Sequence, residues 1–159
     1  MFEQKSYSDD REKNYSTLLK QLEALIQDEP DRTANLANAS ALLNQFLDNI
    51  NWVGFYIWKD TELVLGPFQG LPACIRIPAK QGVCGTAYSN NQTMLVPNVN
   101  EFPGHIACDA RSQSEIVIPI VINGKVFGVL DIDSPILNRF DDVDQAQLEK
   151  FVHVLEKNI

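Results

Sequence analysis

Apolar residues recur at helical spacing in two stretches near the start of the chain and again at its end. Tyr15 to Gln27 puts Leu18, Leu22, Leu25 and Ile26 on one face, which predicts a helix. A second helix is predicted from about Pro30 to Asn49, with Leu36, Ala39, Leu43, Phe46 and Leu47 as its stripe. Pro30 suits a helix's first turn. The period then changes. Trp52 to Trp58 and Glu62 to Phe68 read as strands joined by a turn at Lys59-Asp60-Thr61, the second interrupted late by Gly66-Pro67. Cys74 to Ile77 and Thr93 to Val96 read as short strands. Gly82 to Tyr88 reads as a glycine-marked entry into a short helix. Ile116 to Ile122 and Lys125 to Ile132 flank Asn123-Gly124, a strong hairpin signal. A last helix starts near Asp142, capped by Asp141 or Asp142, with Leu148, Phe151, Val152 and Leu155 buried. This order of elements is an α+β domain. It lacks the strand–helix–strand alternation of a doubly wound nucleotide-binding fold, and its glycines form neither a dinucleotide fingerprint nor a P-loop.

The chain's 159 residues fit one domain spanning 1–159. That length buries enough apolar surface to need no disulfide or metal staple. The net charge of −8 opposes nucleic acid and anionic membrane partners, whose binding is driven by Lys and Arg. The charge is uneven: residues 34–130 hold five basic and six acidic groups, so this nearly neutral middle is where the sheet and any site are expected. The first five residues, Met1 to Lys5, have no apolar stretch of signal-peptide length, and no apolar run approaches the ~20 residues of a membrane span. A cytoplasmic location is therefore expected.

Three cysteines, Cys74, Cys84 and Cys108, are an odd number, which a secreted disulfide framework rarely leaves. In a reducing compartment such thiols are buried hydrophobes, metal ligands or redox centres. Their intervals of 10 and 24 residues match no zinc ribbon or finger, and His105 and His153 complete no familiar tetrahedral set, so no metal is expected. An apolar core role suits Cys74, at the start of an apolar strand. It suits Cys108 poorly. Cys108 sits in a long polar loop, residues 97–113, with Asp109 and Arg111 close by, a setting for an exposed thiol of lowered pKa.

Asp131 and Asp133 share one face at the end of an apolar strand, and Glu115 begins its hairpin partner. Such carboxyls either solubilise a strand end or converge on a pocket, where burial and like charge raise a pKa and keep a proton to donate. With a two-residue turn Ile122 faces Lys125, and counting outward pairs Glu115 with Ile132, on the wrong face. A bulge, with Pro119 as candidate, or a loop position for Glu115 would bring the three together. Trp52 and Tyr56 also share a face, with Gly54 leaving room between them. That pair is either core or the wall of a pocket.

Together these segments resemble the free methionine-(R)-sulfoxide reductases, enzymes of the GAF fold. The resemblance rests on the cysteine intervals, on Trp52-Val53-Gly54-Phe55-Tyr56, Gly82-Val83-Cys84-Gly85-Thr86-Ala87 and His105-Ile106-Ala107-Cys108-Asp109. It rests also on Ser114 to Pro119 and Gly128 to Ser134, and it runs from about residue 15 to the C-terminus. It implies a GAF-like antiparallel sheet with the N- and C-terminal helices packed on one face, no cofactor, and a homodimer. It implies that Cys108 is the nucleophile and that Cys74 or Cys84 resolves its oxidised form as a disulfide, which thioredoxin or a similar dithiol then reduces. Cys74 is the favoured resolving thiol, since Cys84 opens a helix that shapes the pocket. The resemblance assigns Trp52 and Tyr56 to the methylsulfinyl end of the substrate, and Glu115, Asp131 and Asp133 to holding the substrate and polarising its sulfoxide oxygen. The alternatives from other classes are a non-catalytic GAF ligand sensor and a peroxide-sensing thiol protein.

Overall fold

A computed structural model describes residues 2–3 and 7–159; Met1 and residues 4–6, part of the N-terminal stretch read for a signal sequence, lie outside the described residues. One six-stranded antiparallel sheet organises the chain. Its strands are β1 (Trp52–Lys59), β2 (Glu62–Gly70), β3 (Arg76–Pro78), β4 (Met94–Val96), β5 (Ser114–Ile122) and β6 (Lys125–Ser134). Their order across the sheet is β3-β2-β1-β6-β5-β4. The helices are α1 (Arg11–Ile26), α2 (Arg32–Phe46), α3 (Gly82–Asn90) and α4 (Asp142–Glu156).

The two faces of the sheet carry different cores. Val53 and Phe55 of β1, Ile116, Ile118 and Ile120 of β5, and Leu130 and Ile132 of β6 pack against α1, α2 and α4. The alternate residues, Trp52, Tyr56, Val117 and Val129, pack under α3 through Cys84 and Ala87. Period-two alternation thus feeds both cores at once, which is why β1 reads as an unbroken apolar run. The terminal helices lie on one face, as the resemblance implied. They are tied together by the buried Asp144 of α4. Its carboxylate accepts from Tyr15 Oη at 2.6 Å and meets Arg11 at 2.8 Å and Arg139 at 3.3 Å. It also completes the capping box that starts α4 at Asp141.

Several boundaries differ from the expected ones, each for a local reason. α1 starts at Arg11, because the Asp10 side chain accepts from Lys13 N. α2 starts at Arg32, because Asp31 caps it, and Pro30 lies outside the first turn. It ends at Phe46, where Leu47 turns extended. Cys74 precedes β3 and lies in a loop, where a strand was expected. The hairpin does contain the bulge that Glu115 requires, but Pro119 does not make it. Val121 pairs with Val126 and Ile120 with Gly128, so Phe127 is the extra residue. Pro119 stays in register opposite Val129, beyond the last pairing of β4 at Val117, so its missing N–H breaks no ladder. Beyond the bulge Glu115 pairs with Asp133 and Val117 with Asp131. Among the described residues no helix is long and apolar enough to cross a membrane.

Candidate active site

The bulge aligns a row of side chains on the α3 face of the sheet. Glu115, Asp133 and Trp52 lie side by side across β5, β6 and β1, and Asp131 sits one step along, opposite Gly54. Gly54 does not leave the expected gap. A Cβ there would meet Phe68 Cα at 2.8 Å and the Pro67 carbonyl at 2.9 Å, so Phe68 already fills the space across the ladder. The Phe68 ring stacks on Trp52 at 5.2 Å, and Trp52 in turn lies 5.8 Å from the Tyr56 ring.

A cavity of about 40 Å³ opens above this row, ample for water, which needs ~10–15 Å³. Its floor is Trp52, Tyr56, Glu115, Asp131 and Asp133, and the first turn of α3, Gly82 to Cys84, forms one wall. Gln81, the residue before α3, makes no side-chain cap, so the helix N-terminus faces the cavity without a capping side chain. Gly82 holds φ +61°, the left-handed conformation that lets the chain turn into α3 at this wall.

Two loops close the rest, and a disulfide joins them. Cys74 and Cys108, 34 residues apart in sequence, are bonded with their Cα atoms 5.5 Å apart. The aromatic floor pins the first loop, since Tyr56 Oη donates to the Cys74 carbonyl at 2.8 Å and Trp52 Nε1 to the Leu71 carbonyl at 3.1 Å. Asn51 pins the second. Its Nδ2 donates to Asp109 at 3.0 Å and to Ser112 Oγ at 3.1 Å. Arg111 donates to the same Asp109 carboxylate at 2.8 Å and holds it well below the usual carboxylate range. Cys84 is the remaining thiol. It is 4% exposed, and burial, with the nearby carboxylates, pushes it well up. The core role expected of Cys74 therefore belongs to Cys84, while Cys74 is half-buried and bonded. Cys108 is half-buried rather than exposed.

Burial pushes all three floor carboxyls toward the protonated form. Glu115 and Asp133 rise well above their ordinary range, and Asp131 rises to about 6. His105, on the cavity's edge with Nε2 3.9 Å from Glu115, is lowered by burial and stands neutral near pH 7. Asp131 Oδ1 is buried without a hydrogen-bond partner, an acceptor prepared for a donor. Because each carboxyl keeps its proton to higher pH when folded, the native chain binds more protons than the unfolded one. Stability should then fall as pH rises from about 4 through the folded values. Asp131→Asn, neutral at every pH, should gain on the wild type between pH 4 and pH 8 by on the order of 1–3 kcal/mol in urea denaturation. A gain that shrinks with rising pH would mean that Asp131 is held ionised.

All eight side chains singled out in the sequence meet here: Trp52, Tyr56, Cys84, Cys108, Glu115, Asp131 and Asp133 line the cavity, and Cys74 joins through its disulfide. Sequence reasoning missed Asn51 and Ser112 and read Asp109 only as a charged neighbour of Cys108; together the three hold the Cys108 loop. The signal available was the Asp109–Arg111 pair beside Cys108.

A curled antiparallel sheet with helices against both faces and a pocket under the short helix defines a GAF domain. Residues 21–159 match the GAF domain family, and the chain belongs to it. Within that family it stands with the free methionine-R-sulfoxide reductases. The Escherichia coli protein of that name is 52% identical over 143 residues, covering 90% of this chain and 87% of its own. The free methionine-R-sulfoxide reductase of Neisseria meningitidis, solved with its substrate, superposes with a TM-score of 0.95 at 42% identity, covering 99% and 95%. The Staphylococcus aureus fRMsr, solved with substrate, gives 0.88 at 56% identity, covering 91% and 95%.

Proposed function

We propose that residues 1–159 act as one catalytic domain that reduces free L-methionine (R)-sulfoxide to L-methionine. The observation that carries the reading is a Cys74–Cys108 disulfide closing a pocket floored by three carboxyls, two of them almost fully buried, and two aromatic rings. In the reduced protein the Cys108 thiolate attacks the sulfoxide sulfur. The departing oxygen must be protonated, and a floor carboxyl kept neutral by burial supplies that proton. That attack joins the two sulfurs as the oxygen leaves as water; water then attacks the Cys108 sulfur, the sulfur–sulfur bond breaks, and methionine departs as a thioether, leaving a sulfenic acid on Cys108. The Cys74 thiol then attacks that sulfur, releasing water and forming the disulfide. An external dithiol, thioredoxin or a similar protein, restores both thiols by exchange.

The same pocket fits the two ends of a free amino acid. Its ammonium finds the carboxyls, beginning with the unpartnered Oδ1 of Asp131. Its carboxylate fits the N-terminus of α3, where backbone N–H groups and the helix dipole favour an anion. Trp52 and Tyr56 flank the methylsulfinyl end. The odd cysteine count fits a reducing cytoplasm, and the family resemblance implies a homodimer.

An NADPH-coupled thioredoxin assay with the separated diastereomers tests the reading: the R form should be consumed and the S form left. Cys74→Ser should release one methionine per chain and then stall, with a sulfenic acid trappable on Cys108. Cys84→Ser should keep cycling. Normal cycling by Cys74→Ser would reverse the order of the two thiols, and unchanged cysteines after sulfoxide treatment of the wild type would point to a sensor.

A further inference from the structure

Cys84, Glu115 and Asp131 come from three elements, α3, β5 and β6, and converge on one point. One donor atom of each lies within 4.8 Å of the others, and all three side chains are buried. Glu115 and Asp131 are 5% and 6% exposed. The resemblance gives these carboxyls an ammonium to hold and names Cys84 as one of two candidate resolving thiols, but the Cys74–Cys108 bond leaves Cys84 outside that step. Cys84 takes no part in the Cys74–Cys108 bond, and its sulfur sits against the carboxyls of Asp131 and Glu115. Next to it, Asp131 Oδ1 is buried with no hydrogen-bond partner. A buried acceptor of this kind costs roughly 1–3 kcal/mol until something fills its lone pairs. A thiol beside a carboxyl with one unpartnered oxygen, both lining the cavity, is a donor set able to hold a cation.

The donors specify its class. A mixed sulfur and oxygen set selects a borderline ion of the zinc type over magnesium or calcium, which take oxygen alone. Tetrahedral zinc with Zn–S of about 2.3 Å and Zn–O of about 2.0–2.2 Å sets its donors ~3.5 Å apart, a contraction that side-chain rotation can supply. Three protein donors leave a fourth position open to the cavity, for water. We propose that Cys84, Glu115 and Asp131 form a binding site for a divalent transition-metal cation of the zinc class. The thiol and any protonated carboxyl lose their protons on binding, so affinity rises with pH. The site itself rests on this geometry alone. Only its consequence rests on the functional reading above: the ion occupies the place of the substrate's ammonium, so metal and amino acid exclude one another.

The oxidised protein gives a clean test, because the disulfide leaves Cys84 as the single thiol of the chain. Cobalt(II), titrated into it, should bind one ion per chain and give a thiolate-to-cobalt charge-transfer absorption. Cys84→Ser should abolish that absorption. Asp131→Asn and Glu115→Gln should each weaken binding at least ~10-fold, and zinc(II) should displace the cobalt. Circular dichroism confirms that each variant is folded, and the wild-type titration stands whatever the variants do. No charge-transfer band in the wild type, or a band that survives Cys84→Ser, overturns the site. Magnesium in place of cobalt should leave the protein unchanged. Free methionine should raise the apparent cobalt dissociation constant in proportion to its concentration. A protein that binds cobalt through Cys84 yet neither binds methionine nor reduces its sulfoxide keeps the metal site and loses the reductase reading, so the two failures separate.

Discussion

Cys108→Ser is expected to release no methionine from methionine (R)-sulfoxide, even in a single turnover without external reductant. The loss should be at least ~10⁴-fold, the scale on which removing a nucleophile acts. The reason is specific to this pocket. Of the two thiols that remain, Cys74 is not itself among the residues lining the cavity. Cys84 lines it but is held protonated by burial beside three carboxyls, so almost none is thiolate near pH 7. Neither can substitute for Cys108 as nucleophile. The variant should still bind substrate, because the floor carboxyls and the aromatic pair are untouched. Unchanged affinity for methionine with no product in a quenched-flow experiment is the expected signature. Stoichiometric methionine from Cys108→Ser would move the nucleophile to another side chain.

How much of this was legible beforehand depended on the range of the interaction. Helical and strand periods are local, so the order of elements followed from spacing, while the placement of the terminal helices on one face followed from the resemblance. The site residues followed from a resemblance in short segments, because the chemistry is concentrated in a few side chains. Geometry set by distant partners was not legible. Glu115 joins Asp131 and Asp133 only because Phe127 bulges from β6, and nothing in the turn at Asn123-Gly124 announces that extra residue. The bulge brings Phe127 under the Arg32 guanidinium, 4.7 Å from the ring, a contact with a helix almost a hundred residues earlier. The reading of Gly54 failed in the same way. Its space is filled by Phe68 from across the ladder, which sequence spacing on β1 does not see. Cys84 lines the pocket from α3 as expected, but Cys74 lies in a loop and not in a core strand, because an apolar neighbourhood in sequence, Ile75 and Ile77, is not burial in the fold. Ile75 is 67% exposed. Asn51 carried no signal at all, since its role depends on partners in a loop, Asp109 and Ser112, that lie 58 and 61 residues later.

The free amino group should decide which methionine sulfoxides this protein reduces. Glu115 and Asp131 are almost fully buried and Asp133 half-buried on one face of the sheet, and each is pushed toward neutrality by the cost of burying its charge. An ammonium placed among them reverses that cost. It donates to the unpartnered Asp131 Oδ1, draws at least one carboxyl into its ionised form, and leaves a protonated neighbour for the sulfoxide oxygen. One cation thus sorts the three acids into holders, beginning with Asp131, and a donor. Acetylation removes the charge and adds an acyl group against the carboxyl floor of the cavity. Losing a cation from a desolvated acidic site costs ~2–5 kcal/mol. N-acetyl-methionine sulfoxide and peptide-bound methionine sulfoxide should therefore show kcat/KM at least ~30-fold below that of the free amino acid, since each ~1.4 kcal/mol is tenfold. Asp131→Ala should lower kcat/KM for the free substrate while narrowing its advantage over the acetylated one, because the lost carboxylate serves only the substrate that carries a charge. Asp133→Ala should act in the same direction. Comparable kcat/KM for free and peptide-bound sulfoxide in the wild type would show that the acidic row does not read the amino group, and the three carboxyls would then need another reason to be brought together.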